Sequence, residues 1–279
     1  MAELRPEPAL TAEGLVSNIR KILEDKQVQE KVKNFELMST CYHEDEKRDY
    51  PVGTHIHIDN TPEINNLPHE KRMRLFAVTN KLLDELLTLP MIRLDGPKGH
   101  NRRAKCKMSA ANGFGGQYGK GYGYFGEWRG DKGRLEHRSL SGLVIATPDI
   151  AEAVFGTAKA IAEAAYNEAL KNELDAEFIL PKQFSKTVLY SPEFNKWDKI
   201  PLAATLGCTT SSAQMHNLMD SSDRALVTQK YIKQWLTVMQ SLTTYKKYSK
   251  YVEKLAEILS ASDNALDKIA KNLNKTWKE

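Results

Sequence analysis

The chain has 279 residues, 41% hydrophobic and 27% charged, with 16 Gly and 11 Pro, enough apolar material for a real core and too much for wholesale disorder. No apolar run approaches the roughly 18–20 residues of a membrane span, and the opening MAELRPEPAL lacks the apolar stretch of a secretory leader. Three scattered cysteines, Cys41, Cys106 and Cys208, fit neither a disulfide framework nor a zinc pair; the expected setting is intracellular, cytoplasmic or within a virion.

Residues 1–10, with two prolines, read as a flexible arm. Thr11 then caps a helix on which Leu15, Ile19, Ile22 and Leu23 recur at three and four. Extended segments around Leu37–Tyr42 and Val52–Ile58 flank a charged turn and predict a hairpin. Pro68 opens a helix with Leu75, Phe76, Thr79, Leu82, Leu83 and Leu86 on its buried stripe, and Pro90 is expected to end it. Leu140–Ala146 is a strand candidate. Thr147-Pro148-Asp149 starts an alanine-rich helix running to about Leu174. Residues 175–222 read as irregular. From Asp223 helical periodicity returns, with a break near Thr243–Tyr245 and a last helix capped by Asp263. The predicted fold is α+β, mainly α, with a small antiparallel β region in the N-terminal half and a helical C-terminal half. The arm is followed by an α+β region over 11–147 and a helical region over 148–279.

Residues 95–138 stand apart. They carry ten Lys and Arg against four acids, so the segment is +6 while the other 235 residues sum to −2. They also hold 11 of the 16 glycines and six aromatics, and read as a loop. Cations attract phosphates, aromatic faces stack on unpaired bases, and glycine lets a backbone wrap its ligand. The candidate contacts are Lys98, Arg102, Arg103, Lys105, Lys107, Tyr118, Lys120, Tyr122, Tyr124, Trp128, Arg129, Lys132 and Arg134. Lys120-Gly121-Tyr122-Gly123-Tyr124 is similar to the start of an RNP1 strand, but Phe125 and Glu127 depart from it. A second basic aromatic cluster, Tyr245 to Lys254, puts Lys247, Lys250 and Lys254 on one helix face. These features predict a non-enzymatic protein that binds single-stranded nucleic acid, RNA ahead of DNA, and self-associates along it as a nucleoprotein or viral coat protein does. No cofactor is implied. A flexible hairpin with core aromatics is the plainer alternative.

His55-Ile56-His57 places two imidazoles on one strand face. The pattern resembles the His-hydrophobic-His strand of HUH endonucleases, the relaxases and rolling-circle initiators. That resemblance implies Mg or Mn held by His55, His57 and Glu44, and a tyrosine nucleophile, Tyr166 or Tyr251. No Walker A loop and no Rossmann glycine fingerprint is present, so nucleotide-driven chemistry is not expected.

Overall fold

The computed structural model of the chain describes residues 3–44, 49–111, 128–130, 133–171, 224–269 and 271–278. The chain is α+β and mainly α, with its antiparallel strands in the N-terminal half.

Helix α1 (Ala12–Glu24) begins at Thr11, whose hydroxyl accepts from the Gly14 N–H, and buries Val16, Ile19 and Leu23. Asp25 caps the short α2 (Lys26–Val32) by accepting from two backbone N–H groups. Within the expected arm, Leu4 packs against the cluster that contains Val16 and Trp277, and the Asn18 amide donates to the Glu7 carbonyl at 2.9 Å.

Strands β1 (Tyr42–Glu44) and β2 (Asp49–Pro51) pair with each other. The expected partner, β3 (Gly53–Asp59), goes elsewhere: it pairs antiparallel with β5 (Arg134–Ser141), whose other edge takes β4 (Trp128–Gly130). The order is β3-β5-β4. The inward side chains explain the choice. Ile56 and Ile58 stand opposite His137 and Leu135 and cover a core that the short β1 cannot offer. The basic segment is therefore not one loop: it opens as a helix, α6 (Lys98–Ala111), and closes as the β4–β5 hairpin. The strand expected at 140–146 is β5, shifted towards its polar N-terminal side; Gly142–Ile145 is a 3-10 turn.

After the short α3 (Pro62–Asn65), helix α4 (His69–Leu83) does not stop before Pro90. It passes through a π turn (Asp84–Thr88) into α5 (Leu89–Asp95). Pro90 cannot donate to the Leu86 carbonyl, and the Trp235 indole N–H fills that place at 2.7 Å. Gly96 ends α5 at φ +65, where an added Cβ would meet the Arg224 guanidinium.

Helix α7 (Pro148–Lys171) starts as its sequence predicts, with the Thr147 hydroxyl accepting from the Ile150 N–H. Its alanine face lets α9 (Tyr245–Ser260) approach so closely that a Cβ on Gly156 would run into the Tyr251 ring. Helix α8 (Gln229–Gln240) precedes α9. The expected last helix is two, α10 (Asp263–Asp267) and α11 (Leu273–Thr276), the former capped by Ser262. One core cluster joins Phe76, Leu135, Val154 and Leu255, so it crosses the boundary drawn at 147 and 148. Arg93 ties the C-terminal helices to α5: its guanidinium donates to the carbonyls of Val227, Leu259 and Ala261 and pairs with Asp263. Among the described residues no helix is long and apolar enough to cross a membrane.

Candidate active site

The β3-β5-β4 sheet has two polar surfaces of different kinds. On the open face, register sets Arg129, Glu136 and His57 side by side on three strands, with Arg134 opposite Asp59. Glu136 is the centre. Its carboxylate takes the His55 Nδ1 at 2.9 Å and forms an ion pair with Arg138, whose Nε lies 3.2 Å away without hydrogen-bond geometry. Burial alone would raise its pKa, but the His55 hydrogen bond and the charges of His55, Arg138 and His57 bring it down to about 2, so it stays ionised. The His57 pKa is lowered too, which for an imidazole favours the uncharged form. Desolvation, helped by Arg134 and His55, lowers its pKa against the pull of Glu136 and Asp59. The open face thus offers an ionised carboxylate in a fixed pair, two arginines with exposed side chains, Arg129 and Arg134, and an imidazole whose uncharged form is favoured.

The inner face is sealed. His137 lies between the Asn80 Oδ1 at 2.6 Å and the Thr88 Oγ1 at 2.9 Å. Ser139 donates to the Asp84 carboxylate at 2.5 Å, and the Asn80 amide donates to the other Asp84 oxygen at 3.3 Å. Burial, with the nearby Arg103 and His55 charges, drops the His137 pKa to about 3, so the ring is neutral. An uncharged imidazole has one N–H: Nδ1 gives it to Asn80, and Nε2 accepts from Thr88.

The residues picked from the sequence scatter across this geometry. Arg102 and Arg103 are 0% and 1% exposed. Arg102 donates to the carbonyls of Val52, Ser139 and Leu140, and Arg103 to that of Ser139. Both are spent on backbone inside the protein, out of reach of any phosphate chain. Trp128 is equally buried, edge-on to Phe76 at 6.3 Å, and is core rather than a stacking platform. Lys98, Arg129 and Arg134 are exposed and Lys105 is half-buried. Tyr118, Lys120, Tyr122, Tyr124, Lys132 and the Lys107 side chain lie outside the described residues. On α9 each lysine of the expected basic face meets an acid: Lys247 with Glu163 at 2.7 Å, Lys250 with Glu13, and Lys254 with Asp149 at 3.1 Å.

The metal-and-tyrosine arrangement is not assembled either. Among the described residues no three His, Cys, Asp or Glu side chains gather as a metal site. His55 engages Glu136, while Glu44 accepts from Asn101 at 3.1 Å. No metal-dependent step follows from these residues. Burial, with Asp59 nearby, raises the Tyr166 pKa strongly, and the Tyr251 hydroxyl donates to Glu13 at 2.7 Å. Neither is an activated nucleophile.

Sequence reasoning passed over Glu136 and Arg138, the pair that organises the open face. The alternation Leu135-Glu136-His137-Arg138 was the available signal, masked by a segment read for its total charge.

No curated protein and no solved structure matches the chain. Residues 1–186, which include every strand among the described residues and α1 to α7, match the family model described as phage phiEco32-like COOH.NH2 ligase-type 2. This finding overturns both functional readings drawn from the sequence, the single-strand RNA-binding coat or nucleoprotein and the HUH endonuclease. Composition had suggested the first and a three-residue strand pattern the second, whereas the match runs over two thirds of the 279 residues. The chain belongs to the phage phiEco32-like COOH.NH2 ligase-type 2 family.

Proposed function

We propose that the protein joins a carboxylate to an amine on the open face of the β3-β5-β4 sheet. The family description names that reaction class, and the sheet lies wholly within the matched residues. The observation that carries the assignment to this face is the Glu136 centre, with Arg129 and His57 directly across from it on the two flanking strands.

Each group has a chemical task. A guanidinium offers a planar fork of donors to a carboxylate, and Arg129 and Arg134 present theirs outward. An amine attacks only after losing a proton, and an exposed imidazole at His57, its pKa lowered so that the uncharged form is favoured, is suited to accept it. Glu136 keeps its charge and holds His55 and Arg138 in place. A free carboxylate does not acylate an amine in neutral water, so one of its oxygens must first become a leaving group at the expense of a nucleoside triphosphate. That requirement reverses the expectation that nucleotide chemistry is absent. A Walker loop and a Rossmann fingerprint are two ways to cradle phosphate among several.

The test uses the full chain with a nucleoside triphosphate, magnesium, a pool of amino acids as carboxylate donors and hydroxylamine as the amine. Hydroxamate and released phosphate are measured. The expected result is stoichiometric formation of both, with kcat reduced by about 10²–10⁴ in His57→Gln. Absence of hydroxamate across the pool, or an unimpaired His57→Gln, counts against the reading.

A further inference from the structure

The sealed network lies directly behind the proposed site, and three features of the fold converge on it. The first is a bulge in β5. Register passes from Thr54 opposite Leu140 to Ile56 opposite His137, so three steps on β5 face two on β3. The extra residue falls next to Arg138, and a bulge re-aims the side chains beside it. The second is the set of groups that grip this stretch. His137 and Ser139 are held by side chains of the α4–π segment, and the carbonyls of Ser139 and Leu140 are held by Arg102 and Arg103. The third is the π turn. Asn80, Asp84 and Thr88 are spaced by four, and in a plain α-helix each such step overshoots a full turn by about 40°. The wider turn over Asp84–Thr88 offsets that drift, and Asp84 and Thr88 both meet β5.

We propose that the Asn80, Asp84, Thr88, His137 and Ser139 network is a positioning device for the open face. Held from behind, the bulged part of β5 keeps Glu136 and Arg138 at the spacing that lets one carboxylate serve both His55 and Arg138. Thr88 is the key positioning residue: its hydroxyl sits 2.9 Å from His137 and 3.2 Å from Ser139, the two inward residues that flank Arg138. It touches no reacting group. The role assigned to the open face rests on the ligase reading, but the mechanical coupling does not.

The experiment therefore has two arms, on the full chain. In the first, ¹⁵N–¹H signals of the His55 Nδ1 and Arg138 Nε are recorded at one pH, far below the melting temperature. Thr88→Val keeps the shape and removes the hydroxyl. It should displace or broaden both signals although they lie on the opposite face of the strand, and Thr88→Ser should restore them. Ser139→Ala, which removes a different bond of the same network, should move the same two signals and carries the measurement if Thr88→Val does not fold. In the second arm, kcat for hydroxamate formation should fall on the order of tenfold or more in Thr88→Val, with KM for the carboxylate little changed and recovery in Thr88→Ser. Unmoved signals in folded variants, or loss of fold in both, assign the network to stability alone and overturn the proposal. A wild type that makes no hydroxamate while the signals move removes the ligase reading and leaves this inference standing.

Discussion

Arg102 provides the most direct test of how the sheet is held. Its Nε donates to the Val52 carbonyl at 3.1 Å, its Nη1 to Ser139 at 3.1 Å and its Nη2 to Leu140 at 2.8 Å, and the side chain is fully enclosed. Arg102→Met keeps most of the apolar stem and removes these three bonds. A hydrogen bond from a charged donor contributes about 1.5–3 kcal/mol. Two of the three carbonyls keep another donor, Ser139 from Arg103 at 2.9 Å and Val52 from the Gly142 N–H at 3.0 Å. The loss is therefore placed at or below the lower end of the sum, at about 3–5 kcal/mol, against a total of ~5–15 kcal/mol for a typical domain. With a urea slope of about 3 kcal/mol per molar, the unfolding midpoint should fall by about 1 M or more. Arg102→Lys should recover less than half, because one ammonium cannot span three carbonyls in a planar fork. Lys98→Met, on the exposed start of the same helix, serves as the control and should be nearly silent. A loss below about 1 kcal/mol in Arg102→Met, or an equal loss in the control, would refute the idea that this guanidinium completes the bulge.

Two further predictions concern the helical half. Hydrogen bonds from Lys250 and Tyr251 hold the Glu13 carboxyl at about 2 against an ordinary 4.5, so its contribution is present above about pH 4.5 and is lost as pH falls towards 2. Glu13→Gln should flatten the acid limb of a stability–pH curve in that window, by a small amount because the carboxylate is substantially exposed; an unchanged acid limb removes the pair from the account. Trp235→Phe deletes the donor to the Leu86 carbonyl and should lower stability by about 1–3 kcal/mol in a denaturant melt, whereas a neutral result would mean that water replaces the indole.

Local signals in the sequence carried the helices. Thr11 and Thr147 announce their caps because a hydroxyl before a periodic apolar run has one favourable place to donate or accept. The stripe from Leu75 to Leu86 and the break before Tyr245 are equally local. The sheet was harder to read because its pairing is not local. Nothing near β3 says that its partner begins at Arg134, and β5 hides its alternation under charged residues whose apolar neighbours are contributed by other elements. Pro90 misleads for a related reason: the carbonyl it fails to serve is rescued by a tryptophan 145 positions later.

The site shows the same division more sharply. His55-Ile56-His57 placed two imidazoles on one face, and that face is the one on which Glu136 lies. The chemistry assigned to them depended on what stood opposite, which alternation within a single strand cannot supply. The charge of residues 95–138 was a sound count, but a count does not separate an arginine at the surface from one that is enclosed. Arg102 and Arg103 show why this matters. A guanidinium with five donors can be buried whenever a strand leaves carbonyls outside its ladder, and the β5 bulge leaves such carbonyls. Once those two arginines and Trp128 are assigned to the interior, the segment loses three of its thirteen proposed contacts, including its paired arginines. What remains described on its surface is divided between α6, with Lys98 and Lys105, and a sheet face centred on a fixed carboxylate, with Arg129 and Arg134. A carboxylate repels a phosphate chain, but one paired with His55 and Arg138 fits the proposed reading, in which it orders the groups around a carboxylate and the amine that attacks it.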